Sequence, residues 1–433
     1  MRCRASATAP GSSPCLVAWA LAGVVCIFWS GFGYAQNTTS VDLDKAIELA
    51  LAHNHSLKAT RTQILQNQAQ EITANLRPNP VFGADTQFVP IFSPQDFSGT
   101  NIDQVQQFDV GLSYLFERGH KRQHRLQAAR DQTAVTRAQV ADAERTLTFN
   151  VAQQFIGVLL AQSALQLAEE DLKAFQQTVD ISQEQFKAGY IGEGDYLKIR
   201  LQLLQFQTDV SSAKLAKVQA MLGLRELVGY EALPENFDVT GDLTYQPLKT
   251  GLDDLKLQAL RERPDYNAAQ LAVTAAQSQI QLAKANSKVD VTGTYNIDHV
   301  AGETTGSIFA SFPLAIFDRN QGEIARTKYA LTQSQEQQQS ASDAVLSDVA
   351  NAYAAVRSND EVVQLYSSGY LKQAQDSRDI SEYAYKRGAA SLLDYLDAER
   401  SYRAIQLAYR QALASYMTSI EQLKEAVGTR NLP

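Results

Sequence analysis

The chain has 433 residues, 45% of them hydrophobic, and a formal net charge of −8, so it can bury a sizeable core and is too acidic to track a nucleic-acid backbone. Its three cysteines, Cys3, Cys15 and Cys26, all lie near the start, which excludes a disulfide framework or a thiolate metal trap from everything after them. No nucleophile, metal-ligand or phosphate-loop constellation stands out, which speaks against an enzyme and against a bound cofactor or resident metal.

Arg2 and Arg4 precede an apolar run from Leu16 to Trp29, and Gly33, Tyr34 and Ala35 put small residues where a signal peptidase reads. Residues 1–35 therefore read as a cleaved secretory signal. A single-pass anchor is the alternative, but the run is shorter than the ~20 residues a spanning helix needs. Lipidation at Cys26 would need a small-residue box before it, and Gly23-Val24-Val25 is a poor one. Cleavage takes two basic residues away and shifts the formal charge from −8 to about −10. No later stretch approaches 18 uninterrupted apolar residues, so helical spans are excluded and any membrane contact falls to strands.

Two halves follow. In the first, residues 36–229, strands are expected at about 80–92 and 105–117 and long helices at about 119–187 and 194–228. Residues 230–251 hold Pro234, Gly241 and Pro247 and read as an irregular linker. The second half, residues 252–428, repeats the order, with strands at about 288–299 and 305–317 and helices at about 320–386 and 392–427. The helices are long because Gln95 to Leu233 and Leu314 to Leu432 contain no proline, a residue that costs a helix interior ~3 kcal/mol.

The halves are copies. Phe186 to Gly229 aligns without a gap on Tyr385 to Gly428, sharing Lys187/Lys386, Gly189/Gly388, Asp195/Asp394, Tyr196/Tyr395 and Gly229/Gly428. Tyr395, Ala398, Tyr402, Ile405, Tyr409, Ala412 and Tyr416 alternate steps of three and four, the period of a coiled-coil seam. Tyr196, Ile199, Leu203, Phe206 and Val210 form the equivalent seam, and Leu197, Leu201, Leu204, Leu215, Val218 and Leu222 belong to a second one beside it. Two seams suit a barrel stave with neighbours on both sides; a plain helical bundle would also give wide apolar faces.

The strands alternate. Phe82, Ala84, Thr86 and Phe88 oppose Gly83, Asp85 and Gln87, and Phe108, Val110, Leu112, Tyr114 and Phe116 oppose Asp109, Gly111 and Ser113. Val289 to Ile297 and Ile308 to Ile316 alternate likewise. About ten residues with one apolar face is what a tilted membrane strand requires, and four strands cannot close a barrel whose smallest bacterial versions have about eight. Several chains must then share one barrel, two giving about eight strands and three about twelve.

The residues resemble the outer-membrane efflux protein (TolC-like) family over the whole chain after the signal. The resemblance rests on "VDLDKAIELALAHNHSLKA" (Val41 to Ala59), "ALRERPDYNAAQ" (Ala259 to Gln270), "FKAGYIGEGDYL" and "YKRGAASLLDYLDAERSY". The strand exit "FPLAIFDRNQGEIARTK" (Phe312 to Lys328) looks most like the CzcC-like and CusC-like heavy-metal branch. The resemblance implies a mainly α TolC-like α/β-barrel closed as a homotrimer, set in outer-membrane lipid with a periplasmic extension. It also implies a periplasmic membrane-fusion adaptor and an inner-membrane resistance-nodulation-division (RND) transporter as partners, and no nucleic acid. The expected function is passive exit duct of a tripartite pump for metal cations or small toxic molecules. A type I secretion duct with an ABC exporter is the alternative, and a non-pore periplasmic coiled-coil scaffold is the rival of another class.

In that family the two helix turns form the periplasmic tip and acids after the second turn line the constriction, positions matched here by Asp394 and Asp397. Asp394 could equally cap its helix. The family's polar latch matches Asp195 and Tyr385, but its arginine place falls on Ala390, with Arg387 the nearest base. Gly189 and Gly388 serve the turns. The cations Arg118, His120, Lys121, Arg122, His124 and Arg125 oppose a helix dipole and call for lipid phosphate, carboxylates of a neighbouring chain or, more simply, a solvated face. His53 and His55 are too close in sequence to share a helix face, and Gln333 to Gln339 reads as a solvated wall.

Overall fold

The computed structural model describes residues 40–89, 91–93, 95, 98–100 and 106–432. The expected signal, residues 1–35, lies outside the described residues.

Short capped elements open the chain. β1 (Ser40–Val41) leads into α1 (Leu43–His53), where the Asp42 carboxylate accepts from the Lys45 N–H at 2.8 Å, and α2 (His55–Asn75) starts where the Asn54 amide oxygen accepts from the Leu57 N–H at 2.9 Å. Each cap satisfies a helix N–H that has no intrahelical partner. His53 and His55 thus lie on separate helices.

Strands β2 (Val81–Gln87) and β3 (Gln107–Phe116) precede α3 (Lys121–Lys187), whose 67 residues run about 100 Å. After a turn, α4 (Glu193–Val228) returns, and β4 (Asp238–Val239) pairs in parallel with β1. The linker expected to be irregular therefore carries a strand that ties it to the first half. The second half repeats the plan: α5 (Leu252–Glu262), α6 (Pro264–Asn286), β5 (Val291–Val300), β6 (Glu303–Ser311), α7 (Gln321–Leu365), α8 (Leu371–Lys386) and α9 (Leu392–Val427). Proline occupies the first position of α6, where its missing N–H costs nothing.

Four expectations need correction. The strand expected at about 80–92 ends at Gln87, before Phe88 at φ 59°. The strand expected at about 305–317 ends at Ser311, because Pro313 cannot donate to a ladder and leaves Phe312, Leu314 and Ile316 outside the sheet. The helix expected at about 320–386 is broken by a π turn over Tyr366–Tyr370, where Gly369 takes φ 133°, a conformation open to a residue without Cβ. By length and composition α3 does contain a stretch able to cross a membrane; counting only uninterrupted apolar runs hid it, since polar residues are interspersed. Val151, Ala152, Phe155, Ile156 and Val158 in α3 are buried, and all but Ala152 and Ile156 join the core formed with α1 and α4.

The four strands form one antiparallel sheet in the order β2-β3-β5-β6. Pairing β3 with β5 joins the two halves and aligns Phe82, Leu112, Tyr295 and Ile308 in one row across all four strands. These four side chains are exposed, Phe82 by 68% and Ile308 by 84%. The opposite face is polar, with Asp85, Asp109 and Asp298 in one row. β2 and β6 are open edges, each with one partner.

The basic cluster below this sheet finds carboxylates of its own chain. Lys121 pairs with Asp290 at 2.6 Å, Arg125 pairs with Glu117, and the Arg118 N–H donates to Asp290 at 2.9 Å. Within the helices, each half builds its own core: α1, α3 and α4 bury Ile47, Phe155 and Leu224, while α5, α7 and α9 bury Leu255, Val349 and Leu423. A third cluster draws Phe175 and Val179 of α3, Ile199 and Phe206 of α4, and Leu392 and Tyr395 of α9 together near the turns. The halves are knitted together there and in the sheet.

Candidate functional site at the helix turns

The two turns have the same hydrogen-bond pattern. In the first, the N–H groups of Ala188, Gly189 and Tyr190 donate to the carbonyls of Glu184, Phe186 and Gln185 at 3.0, 3.0 and 2.8 Å. In the second, Arg387, Gly388 and Ala389 donate to Tyr383, Tyr385 and Ala384 at 3.2, 2.9 and 2.9 Å. The bond from the residue after the glycine to the carbonyl five places back closes a Schellman end, which needs a left-handed residue. Gly189 and Gly388 supply it with φ of 75° and 73°.

Aromatic pairs sit on the turns in the same register. Phe186 stacks on Tyr196 with centroids 5.1 Å apart, and Tyr385 on Tyr395 at 5.6 Å. In the second pair Tyr395 is buried and Tyr385 half-buried: the Tyr395 hydroxyl lies 3.4 Å from that of Thr178, and burial pushes its pKa to about 12. The Tyr385 hydroxyl is buried beside Ser182, and burial raises its pKa against the pull of that hydroxyl, with the charge of Asp195 adding to the rise. Asp195 itself pairs with Lys198 at 3.1 Å. Arg387 lies over the Tyr383 ring at 5.4 Å and forms no ion pair among the described residues. The charge of Asp195 thus reaches Tyr385 without a bond between them, and Arg387 lies instead over Tyr383.

Ser391, not Asp394, is the N-cap of α9, and Asp394 is the third residue of the helix. The Ser391 hydroxyl and N–H donate to the Asp394 carboxylate at 2.8 and 3.2 Å, and the Asp394 N–H donates back to Ser391 Oγ at 3.2 Å, a reciprocal capping box. Asp397, one turn on, is exposed and pairs with Arg400 at 3.2 Å. An exposed pair of this kind contributes only about 0–1 kcal/mol and leaves the carboxylate free to exchange partners.

Further along α9 lies a charged cluster that sequence reasoning missed. Arg403 pairs with Asp171 of α3 at 3.0 Å and Asp209 of α4 at 2.5 Å, and its guanidinium covers the Phe206 ring at 4.0 Å. Burial raises the Asp171 pKa against the opposing pull of Arg403. Glu399, 7% exposed, has no hydrogen bond or ion pair among the described residues, and burial lifts its carboxyl to about 7. The available signal was its spacing: Leu392, Tyr395 and Glu399 follow at three and four residues, placing a carboxylate on the buried stripe of α9.

A sheet with one apolar face, fed by long paired helices ending in two matched turns, defines a class of membrane exit protein. The family model of outer membrane efflux proteins matches residues 46–230 and 255–429, and the chain belongs to that family. Within it, the chain sits with the CusC/CzcC branch. It is 25% identical to the cation efflux system protein CusC of Escherichia coli (strain K12) over 374 residues, covering 82% of this chain and 79% of the relative. A crystal structure of CusC superposes with a TM-score of 0.73 at 22% identity, covering 91% of this chain and 94% of that one. The cobalt-zinc-cadmium resistance protein CzcC of Cupriavidus metallidurans is 23% identical over 393 residues, covering 89% of this chain and 90% of its own. The pyoverdine export outer membrane protein OpmQ of Pseudomonas aeruginosa is 24% identical over 425 residues, covering 93% and 86%. The fold is TolC-like and the protein is an outer-membrane protein that reaches into the periplasm.

Proposed function

We propose that three copies of this chain close one twelve-stranded barrel and serve as the passive outer-membrane duct of a tripartite pump, taking its cargo from a periplasmic adaptor and an inner-membrane RND transporter. The observation that carries this reading is the sheet: four strands with an exposed apolar row and two open edges, β2 and β6. Such edges are liabilities unless they pair with another copy, and closure also satisfies the backbone in lipid. The cargo class follows CusC and CzcC, metal cations, with small toxic molecules as the wider class.

Purified protein in planar bilayers should conduct, at a molar mass of three chains by light scattering. Folded trimers that pass no current would overturn the duct. Deletion of the gene should sensitise the host to divalent or monovalent heavy-metal salts, and a strain sensitised only to organic toxicants would redirect the cargo assignment.

At the mouth of this duct Asp394 and Asp397, repeated by threefold symmetry, would stack two rings of carboxylates that favour cations. Asp394→Asn with Asp397→Asn is the suitable test, because Asp394→Ala also removes the oxygen that accepts from Ser391, whereas asparagine keeps an acceptor there. The asparagine pair is expected to bring the cation-to-anion permeability ratio toward unity and to weaken block by multivalent cations. An unchanged ratio sinks the rings.

A further inference from the structure

Glu399 stands out once the rest of the molecule is accounted for. It lies on α9 where that helix packs against α3 and α8. From α8 it is faced by Arg378 and Glu382, from α3 by Asp171, and along its own helix by Arg403. Neither cation answers it. Arg403 is already held by Asp171 and by Asp209 of α4. Arg378 pairs with Asp379 at 2.8 Å and lies over the Tyr402 ring at 4.6 Å, leaving its Nε buried without a hydrogen-bond partner. A buried carboxyl and a half-buried guanidinium held by Asp379 therefore lie unjoined on the two helices that meet at the second turn.

We propose that Glu399 is a proton-operated latch: the packing described here holds it as the neutral acid, and its ionisation favours a looser second turn in which the carboxylate reaches water or Arg378. Burying an unpaired carboxylate carries a penalty that protonation removes. The break at Gly369 supplies the hinge, since α8 is joined to α7 through a residue at φ 133° whereas its counterpart α3 is one uninterrupted helix. The two turns are thus unequal: the second can swing while the first stays fixed. Proton control of a duct mouth depends on the proposed function, but the movement does not.

The sign follows from burial. The carboxyl is raised from 4.5 to about 7, so the tight packing is fully favoured below about 4.5, loses ground as pH rises from there to about 7, and levels off above. Across that window the ratio of tight to loose forms falls by a factor on the order of 100.

Because every cysteine lies in residues 1–35, Tyr190→Cys and Ala389→Cys place spin labels at equivalent exposed sites of the two turns without competing thiols in the remaining chain. Electron–electron distance distributions on the full assembly should be narrow at pH 4.5 and should broaden and lengthen by pH 7.5. Glu399→Gln, a neutral isostere, should hold the narrow distribution throughout. A wild-type distribution that ignores pH, or a Glu399→Gln protein that still responds, overturns the latch. Conductance measured on the same samples separates the two ideas: a pH-driven distance change in a protein that passes no current leaves the latch standing and removes the duct.

Discussion

Leu204→Glu combined with Leu215→Glu is expected to leave each chain folded and to abolish assembly. Both leucines are more than half exposed, as are Leu201 and Val218 on the same face of α4, and none belongs to a core cluster of the chain. The opposite side of α4 carries Ile199, Phe206, Val210 and Leu224, all buried. One of the two seams in the α4 sequence is thus packed within the chain and the other has nothing on it. Covering a leucine contributes roughly 1.5–3 kcal/mol, so six apolar residues per chain can hold neighbouring copies together. Two glutamates in that stripe would have to be desolvated in every interface. Light scattering should report single chains with unchanged helical circular dichroism, while Leu204→Met with Leu215→Met, which conserves volume and apolarity, should still assemble. Intact trimers of the glutamate protein would place the interface elsewhere.

That stripe also marks how far the sequence could be read. Period and repetition were legible: the heptads identified both seams of α4, and the aligned turns have the same carbonyl partners, residue for residue. Local chemistry was legible in part: Asp394 reads as a helix cap, whereas Ser391 is the N-cap and Asp394 completes the box three residues on. Interruptions were harder. Pro313 and Gly369 are visible punctuators, yet the alternation of Phe312, Leu314 and Ile316 argued for continuing the strand, and the proline-free span from Leu314 to Leu432 for continuing the helix, through them. Contacts across the halves were not legible at all. Asp171 and Arg403 are separated by 232 residues and Asp209 and Arg403 by 194, so no period links them. An arginine ladder was nonetheless written into α9: Arg403 meets Asp171, and Arg410, one heptad on, meets Ser163 at 2.9 Å, about two turns back along the antiparallel α3.

Arg403→Met is expected to destabilise the junction of α3, α4 and α9 by about 3 kcal/mol, the low end for removing one partner of a buried pair. Methionine keeps much of the volume over Phe206 but leaves Asp171, which is 9% exposed, without its cation. The loss should depend on pH. Burial already raises the Asp171 pKa from 3.8, and Arg403 is the strongest influence pulling it down. Without Arg403 the pKa rises further, so the penalty for folding with an ionised Asp171 is small near pH 4 and grows as pH rises above it. Urea midpoints by helical circular dichroism should therefore separate wild type and Arg403→Met widely at pH 7.5 and little at pH 4.5. Adding Asp171→Asn should return part of the loss at pH 7.5, because the amide carries no charge to desolvate, and the excess over additivity measures the pair directly. A destabilisation that is equal at both pH values and unrelieved by Asp171→Asn would mean that Arg403 acts through its packing on Phe206 and not through its charge.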